Sequence, residues 1–197
     1  IVDVSRKAHT SLGEGMTVKL SPIVTRAVLN RAAELGATIN VCDRNLRIER
    51  RLGEAVWRVT DADQKTGESF ILTLSLPEEH RRMTVLHQND PRHFVRSAGY
   101  DADIGLRLSQ DAGGRPFYVP LGEDLTIPEF LRLVIEVGHA VQTMHRQGLI
   151  HGDLRRPNAL VVDQEDGTPR VLMANSGAFE WQNEMTPQTD IFGLGSL

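Results

Sequence analysis

The sequence predicts an α+β fold in which short antiparallel strands and helices are segregated. Two observations predict it. Short strand-like runs separated by turn residues recur from residue 46 to residue 76, and a single long amphipathic pattern fills residues 127–146.

In chain order, residues 21–36 have the grammar of a helix. Ser21 can cap it, Pro22 suits the first helical position, and Ile23, Ala27, Leu29, Ala32 and Leu35 give an apolar side before Gly36. Residues 11–15 read as a loop. Residues 1–44 carry no motif and are expected to be an extension packed on the main domain or the end of an upstream one. From Asn45 the pattern changes to strands at 46–52, 55–61 and 69–76, with a turn at 63–67, and an antiparallel meander is the simplest arrangement. Residues 77–88 read as a helix with Met83, Leu86 and His87 at helical spacing. Further strands are expected at 94–98, 104–108 and 116–119, with a turn over 111–115.

The long helix has Phe130, Val134, Val137, Val141 and Met144 on its apolar face, with Arg132, Glu136 and Gln142 away from it, and Gly148 ends it. Strands at 159–162 and 170–174 then flank a turn at 164–168. There is no internal repeat and no low-complexity segment.

Composition narrows the function. With 197 residues the chain suits one domain or one and a fraction, and 40% hydrophobic with 24% charged residues is the balance of a globular protein. A net charge of -4 gives no electrostatic reason for a nucleic-acid or anionic-membrane partner. Arg44, Arg47, Arg50 and Arg51 alternate with Leu46, Ile48 and Glu49, and a solvated strand face accounts for them better than a binding patch. Cys42 has no second cysteine for a disulfide or a zinc site, so a reducing, cytoplasmic setting is expected. The most apolar stretch, 131–141, is broken by Arg132, Glu136 and His139, and no membrane-spanning helix is expected. The chain begins at Ile1 without a charged-then-apolar leader, so no secretion signal is read and a fragment of something longer is expected.

Chemistry concentrates after the long helix, in His151-Gly152-Asp153-Leu154-Arg155-Arg156-Pro157-Asn158 followed by a hairpin. This order resembles the catalytic loop of the protein-kinase superfamily, His-Arg-Asp-Leu-Lys-Pro-x-Asn, with the Asp and Asn at the same separation. The resemblance covers roughly residues 46–197. It implies a two-lobed kinase-like fold, with an N-lobe of antiparallel sheet plus one helix and a mostly helical C-lobe that is incomplete in this chain. The implied division is an extension at 1–44, an N-lobe at 45–118 and a partial C-lobe at 119–197. In that family the loop Asp receives the substrate hydroxyl's proton and the Asn binds magnesium. Asp153 and Asn158 hold those places.

Other positions depart from the family pattern. The glycine-rich loop over the ATP phosphates corresponds to residues 52–59, where of its glycines Gly53 alone remains. Ala55, Val56 and Trp57 place side chains where backbone amides approach phosphate, and Trp57 is expected to occlude or cap the cleft. The Val-Ala-Ile-Lys strand corresponds to residues 70–73, which puts Thr73 in the place of the phosphate-holding lysine. Arg82 falls in the place of its helix glutamate, or Arg81 if the register slips by one. Asp-Phe-Gly is replaced by Asn175-Ser176-Gly177, exchanging a metal-binding carboxylate for a weaker neutral ligand and an aromatic plug for a hydroxyl. Gly152 stands where many relatives carry the arginine that pairs with a phosphorylated activation segment. Asp190 matches the lower-lobe Asp that accepts amides of the catalytic loop, a structural role.

The resemblance with these losses implies a pseudokinase, a regulatory scaffold for protein partners such as a signalling kinase or other domains of the same polypeptide. More loosely, the chain resembles the degenerate kinase-like domains of large bacterial and fungal sensors. No cofactor is expected, and ATP with magnesium is not expected to bind with ordinary kinase affinity. The alternative is an atypical phosphotransferase, because His-Gly-Asp followed by Asn also occurs in aminoglycoside and choline kinases. Thr73 and Asn175 count against it.

Overall fold

The computed structural model describes residues 22–34, 36–63, 67–117, 126–155, 158–177 and 185–197. The described elements are α1 (Pro22–Glu34), β1 (Thr38–Val41), β2 (Arg44–Gly53), β3 (Val56–Asp61), β4 (Ser69–Leu74), α2 (Pro77–Asn89), β5 (Ser97–Asp101), β6 (Leu106–Gln110), β7 (Arg115–Pro116), α3 (Ile127–Arg146), β8 (Ala159–Asp163), β9 (Pro169–Met173) and α4 (Pro187–Leu194). They divide into two compact units. One holds the described residues up to His80 together with Ser97–Asp111, and the other holds Arg81–Arg96 together with the described residues from Ala112 onward.

The first unit is an antiparallel six-stranded sheet in the order β1-β2-β3-β4-β6-β5. Alternation along β1 to β4 gives the sheet one buried face, whereas β6 is buried at four successive residues. Trp57 and Val59 on β3, Phe70 and Leu72 on β4, and Leu106 and Leu108 on β6 are buried on one face, where Leu29 and Ala32 of α1 join their cluster. Each such side chain contributes about 1.5–3 kcal/mol by leaving water. The β1–β2 turn is made by Cys42 and Asp43, both at positive φ (53° and 59°), the two-residue geometry that matches strand twist. The sheet curls until β5 meets this turn, and a Cβ placed on Gly99 would lie 2.9 Å from Cys42 Sγ.

Several expectations change here. The helix whose apolar residues share the sheet's core is α1, whereas Met83 and Leu86 of α2 are buried in the core of the second unit. Residues 22–34 and 38–41 pack with the strands that follow. No strand runs over 94–98. Phe94 is fully buried in the second unit and makes one isolated parallel bridge to Met173, and β5 begins at Ser97. The strand expected at 104–108 starts at Leu106, because Asp101 Oδ1 accepts the amides of Asp103 and Ile104 and its carbonyl accepts that of Gly105. Ser21, Leu35 and residues 118–125, which include the end of the last expected N-lobe strand, lie outside the described residues.

The second unit is built on α3. Thr126 and Glu129 form a reciprocal capping box at its start, and Leu133, Val137, Ala140, Val141 and Met144 are its buried face. The core continues through Phe94, Phe117, Leu154 and the three-stranded sheet β7-β8-β9. Glu136, expected away from the apolar face, is buried. Its carboxylate accepts the Val171 amide (2.8 Å) and pairs with Arg92 (2.9 Å), so partners exist for the charge it carries inward. Asp90, just after α2, is tied to α3 by the hydroxyl of Thr143 (3.1 Å). Among the described residues no helix is long and apolar enough to cross a membrane.

Candidate functional site

The loop after α3 is set by a buried carboxylate. Asp190 of α4 is fully buried and accepts the amides of His151 (2.9 Å) and Gly152 (2.7 Å), while His145 Nε2 lies 2.7 Å from the same carboxylate. His151 is itself fully buried, and burial pulls its imidazole pKa down. Its Nδ1 accepts the Asp153 amide over 3.3 Å. Gly152 has φ 67°, and a Cβ there would lie 1.9 Å from Met185 Sδ, so the position admits glycine and excludes an arginine without rearrangement. Gly177 is similarly constrained, with φ 86°, and a Cβ added there would lie only 1.7 Å from the His151 carbonyl oxygen.

On this support stand Asp153, Asn158 and Asn175, joined in one chain of hydrogen bonds. Asn158 Nδ2 donates to Asp153 Oδ2 (2.9 Å) and to the Asp153 carbonyl (2.7 Å), and Asn175 Nδ2 donates to Asn158 Oδ1 (2.8 Å). Asn175 Oδ1 in turn accepts the Gly177 amide (3.2 Å). Arg155 pairs with the Asp153 carboxylate, which raises the guanidinium's pKa. Ser176 is buried.

Gly53, Thr73 and Trp57 belong to the sheet unit. Gly53 pairs with Val56 across a two-residue turn, and its carbonyl accepts from Arg51 Nε (2.7 Å) while that of Glu54 accepts from Arg51 Nη2 (3.2 Å). Arg26 of α1 pairs with the Glu54 carboxylate. Trp57 is fully buried in the sheet's core, and its Nε1 donates to Asn30 Oδ1 of α1 over 3.2 Å. The expectation that it caps a cleft is therefore corrected. The strand's period of two puts Trp57 beside Val59 on the face that α1 shares, and Val56 and Arg58 on the other.

Thr73 shares that other face with Ile71, and its cross-strand partners are Val56 and Arg107. On the same face Arg58 is paired with Asp111 (2.6 Å). Arg82 is half-buried on α2 and falls in the second unit, whereas Thr73 falls in the first.

Sequence reasoning missed Arg107 and Glu79. Arg107 is buried on β6 and pairs with Glu79 of α2 over 3.3 Å. A cation set between Leu106 and Leu108 in a strand was the available signal.

No family model matches the chain. Over 95 residues, 48% of its length, it is 32% identical to a dual serine/threonine and tyrosine protein kinase of Pimephales promelas and 28% identical to the protein of the same name in Takifugu rubripes. The match spans 10% of those relatives' own length. Among solved structures, the kinase domain of Mycobacterium tuberculosis PknI, in a double-mutant form, superposes with TM-score 0.53 at 19% identity, covering 76% of this chain and 71% of that one. Another PknI kinase-domain structure gives TM-score 0.50 at 17% identity. The fold is thus α+β and that of part of a protein-kinase domain, with the N-lobe-type curled sheet extended by β1 and with α3, the loop and the β8–β9 hairpin in the expected order.

Proposed function

We propose that this chain is a catalytically impaired kinase-like domain, a pseudokinase, that works as a regulatory module by binding protein. One observation carries the reading: the side chains at the two magnesium-binding positions of the family, Asn158 and Asn175, are hydrogen-bonded to each other. The oxygen that Asn158 would offer a cation already accepts an amide proton, and the oxygen of Asn175 accepts that of Gly177. Neutral amides are weak ligands for a hard divalent ion, and magnesium demands near-octahedral geometry. The exchange of the family's second carboxylate for Asn175 therefore counts against magnesium here.

The sheet supports the same reading. Thr73 brings no charge to the lysine position, and the Gly53–Glu54 carbonyls are held by Arg51 in a tight turn. Phosphoryl transfer rests on positioning and on charge stabilisation at the phosphates, so these replacements remove what does the work. The proposed partner is protein, a signalling kinase or another domain of the same polypeptide, and the proposed setting is cytoplasmic.

The kinases matched over part of this chain are named for catalysis, and Asp153 follows two residues whose amides Asp190 accepts. These favour the second reading, a weakly active or atypical phosphotransferase. Thermal melting with and without ATP and magnesium tests the first, because a ligand that binds the native state raises its melting temperature by mass action. No shift at millimolar nucleotide is expected. A shift of several degrees that a chelator abolishes would remove the basis for the pseudokinase reading.

A further inference from the structure

We infer that Arg107 and Glu79 have taken over the sheet-to-helix ion pair whose usual positions are Thr73 and Arg82, and that this displaced pair holds the first turn of α2 on the sheet without a nucleotide. The inference rests on the reading above for the absence of nucleotide. Its geometry stands within the sheet unit alone.

The displacement is short at both ends. Arg107 is the cross-strand partner of Thr73, so its side chain rises from the same face one strand over. Glu79 lies three residues before Arg82, about one helical turn. The two meet at 3.3 Å, with the Arg107 side chain 3% exposed and that of Glu79 19% exposed. A guanidinium so buried is costly to hold unless a carboxylate accompanies it. Burial draws the Arg107 pKa down, and Glu79 raises it again.

The surroundings fix Glu79 in this role. Its second oxygen accepts the Ser75 hydroxyl over 2.7 Å at the β4–α2 junction. The next residue, His80, contacts Ser97 Oγ (2.8 Å) and stacks on Tyr100, whose hydroxyl donates to the Ser75 carbonyl (3.2 Å). The first turn of α2 is thereby bound to Ser75, β5 and β6 by the chain's own side chains. A lysine at position 73 would have served helix and phosphates with one mobile charge. Arg107 answers to the helix through its ion pair with Glu79, and helix position is uncoupled from nucleotide.

Hydrogen exchange on the whole chain tests this. In Glu79→Gln, which is isosteric and can retain the Ser75 contact, amides in the first two turns of α2 should exchange at least ~10-fold faster, with α3 unchanged. Arg107→Met should reproduce the effect and Arg107→Lys should restore part of the protection, which a loss of packing volume alone would not predict. Millimolar ATP with magnesium should leave wild-type α2 protection unchanged. A folded Glu79→Gln protein with unaltered α2 exchange would overturn the inference and leave the pseudokinase reading standing. A nucleotide-induced rise in wild-type α2 protection would overturn the uncoupling. Measured ATP turnover would instead sink the pseudokinase reading, while the nucleotide-free comparison of Glu79→Gln with wild type would still decide the ion pair.

Discussion

Asn175 donates its side-chain amide to Oδ1 of Asn158 over 2.8 Å, and the Asn158 amide donates to Asp153 Oδ2 over 2.9 Å, so the hydrogen bonds run in one direction along three residues. That polarity makes the chain sensitive to the residue at its head. Asn175→Asp would set a carboxylate against the Asn158 carbonyl oxygen, and either the Asn158 amide turns over or an acceptor faces an acceptor. An unmet polar group costs ~1–3 kcal/mol when fully buried, and less at these half-buried side chains. The variant should melt below wild type in metal-free buffer and recover partly with millimolar magnesium, to which wild type should be indifferent. Differential scanning fluorimetry with and without chelator reads both effects.

Thr73→Lys, the obvious reversion, should fail for a reason the sheet supplies. The added ammonium would stand cross-strand from Arg107, whose carboxylate partner is Glu79. Like charges directly opposite on a sheet destabilise by up to ~1 kcal/mol, and more where one is buried. Urea denaturation should show a lower midpoint for Thr73→Lys, and the double variant Thr73→Lys, Arg107→Met should recover most of it. Nucleotide binding gained by the single variant would contradict the expectation.

The sequence showed clearly those parts whose signals are local. The α3 pattern, its glycine stop and the spacing from Asp153 to Asn158 each rest on neighbours in the chain, and α3 spans Ile127–Arg146 as read. Long-range features were hidden. Nothing near Trp57 announces that α1 shares its core, and only register reveals that Arg107 stands beside Thr73. Gly152 reads as a lost arginine, yet its positive φ favours glycine, and the Met185 side chain, thirty-three residues on, sits where a Cβ would go. Helical period places Glu136 outward, and it cannot anticipate a backbone amide waiting at Val171.

Gly152→Ala should accordingly destabilise although it adds a single methyl. The left-handed backbone costs a side chain ~1–2 kcal/mol, and overpacking against Met185 adds ~1–3 kcal/mol before relaxation. Met185→Ala in the same protein should return the second part and leave the first. A melting temperature within a degree of wild type for Gly152→Ala would show the loop to be laxer than its geometry.

Cys42 should be slow to alkylate. Burial first, and then the charges of Asp101 and Asp43, push its thiol up to about 11. The unfolded thiol ionises near ~8.5, so on raising the pH the unfolded state loses its proton first. The stability this shift contributes is complete below about pH 8.5 and is lost as pH rises through about 11. Cys42→Ala should flatten the fall in stability across that window in urea titrations at stepped pH. Iodoacetamide at pH 8 should label the native protein far more slowly than the unfolded one.

Asp153→Asn separates the two functional readings. In the native loop Asp153 Oδ2 accepts from Asn158, a bond that the amide oxygen of asparagine can also accept, and Asp153 N donates to His151 Nδ1 through the backbone, which the substitution leaves alone. What is lost is the charge opposite Arg155, whose side chain is 73% exposed, and exposed ion pairs contribute about 0–1 kcal/mol. The variant should therefore fold and melt close to wild type. If the domain binds protein and does no chemistry, partner capture and cellular function should be nearly unchanged. If it transfers phosphate, the variant has lost the group that receives the hydroxyl proton, and autophosphorylation or substrate labelling from radiolabelled ATP should fall ~10²-fold to ~10⁴-fold. The first outcome is expected. A folded Asp153→Asn protein that has lost function would require abandoning the pseudokinase reading in favour of the phosphotransferase.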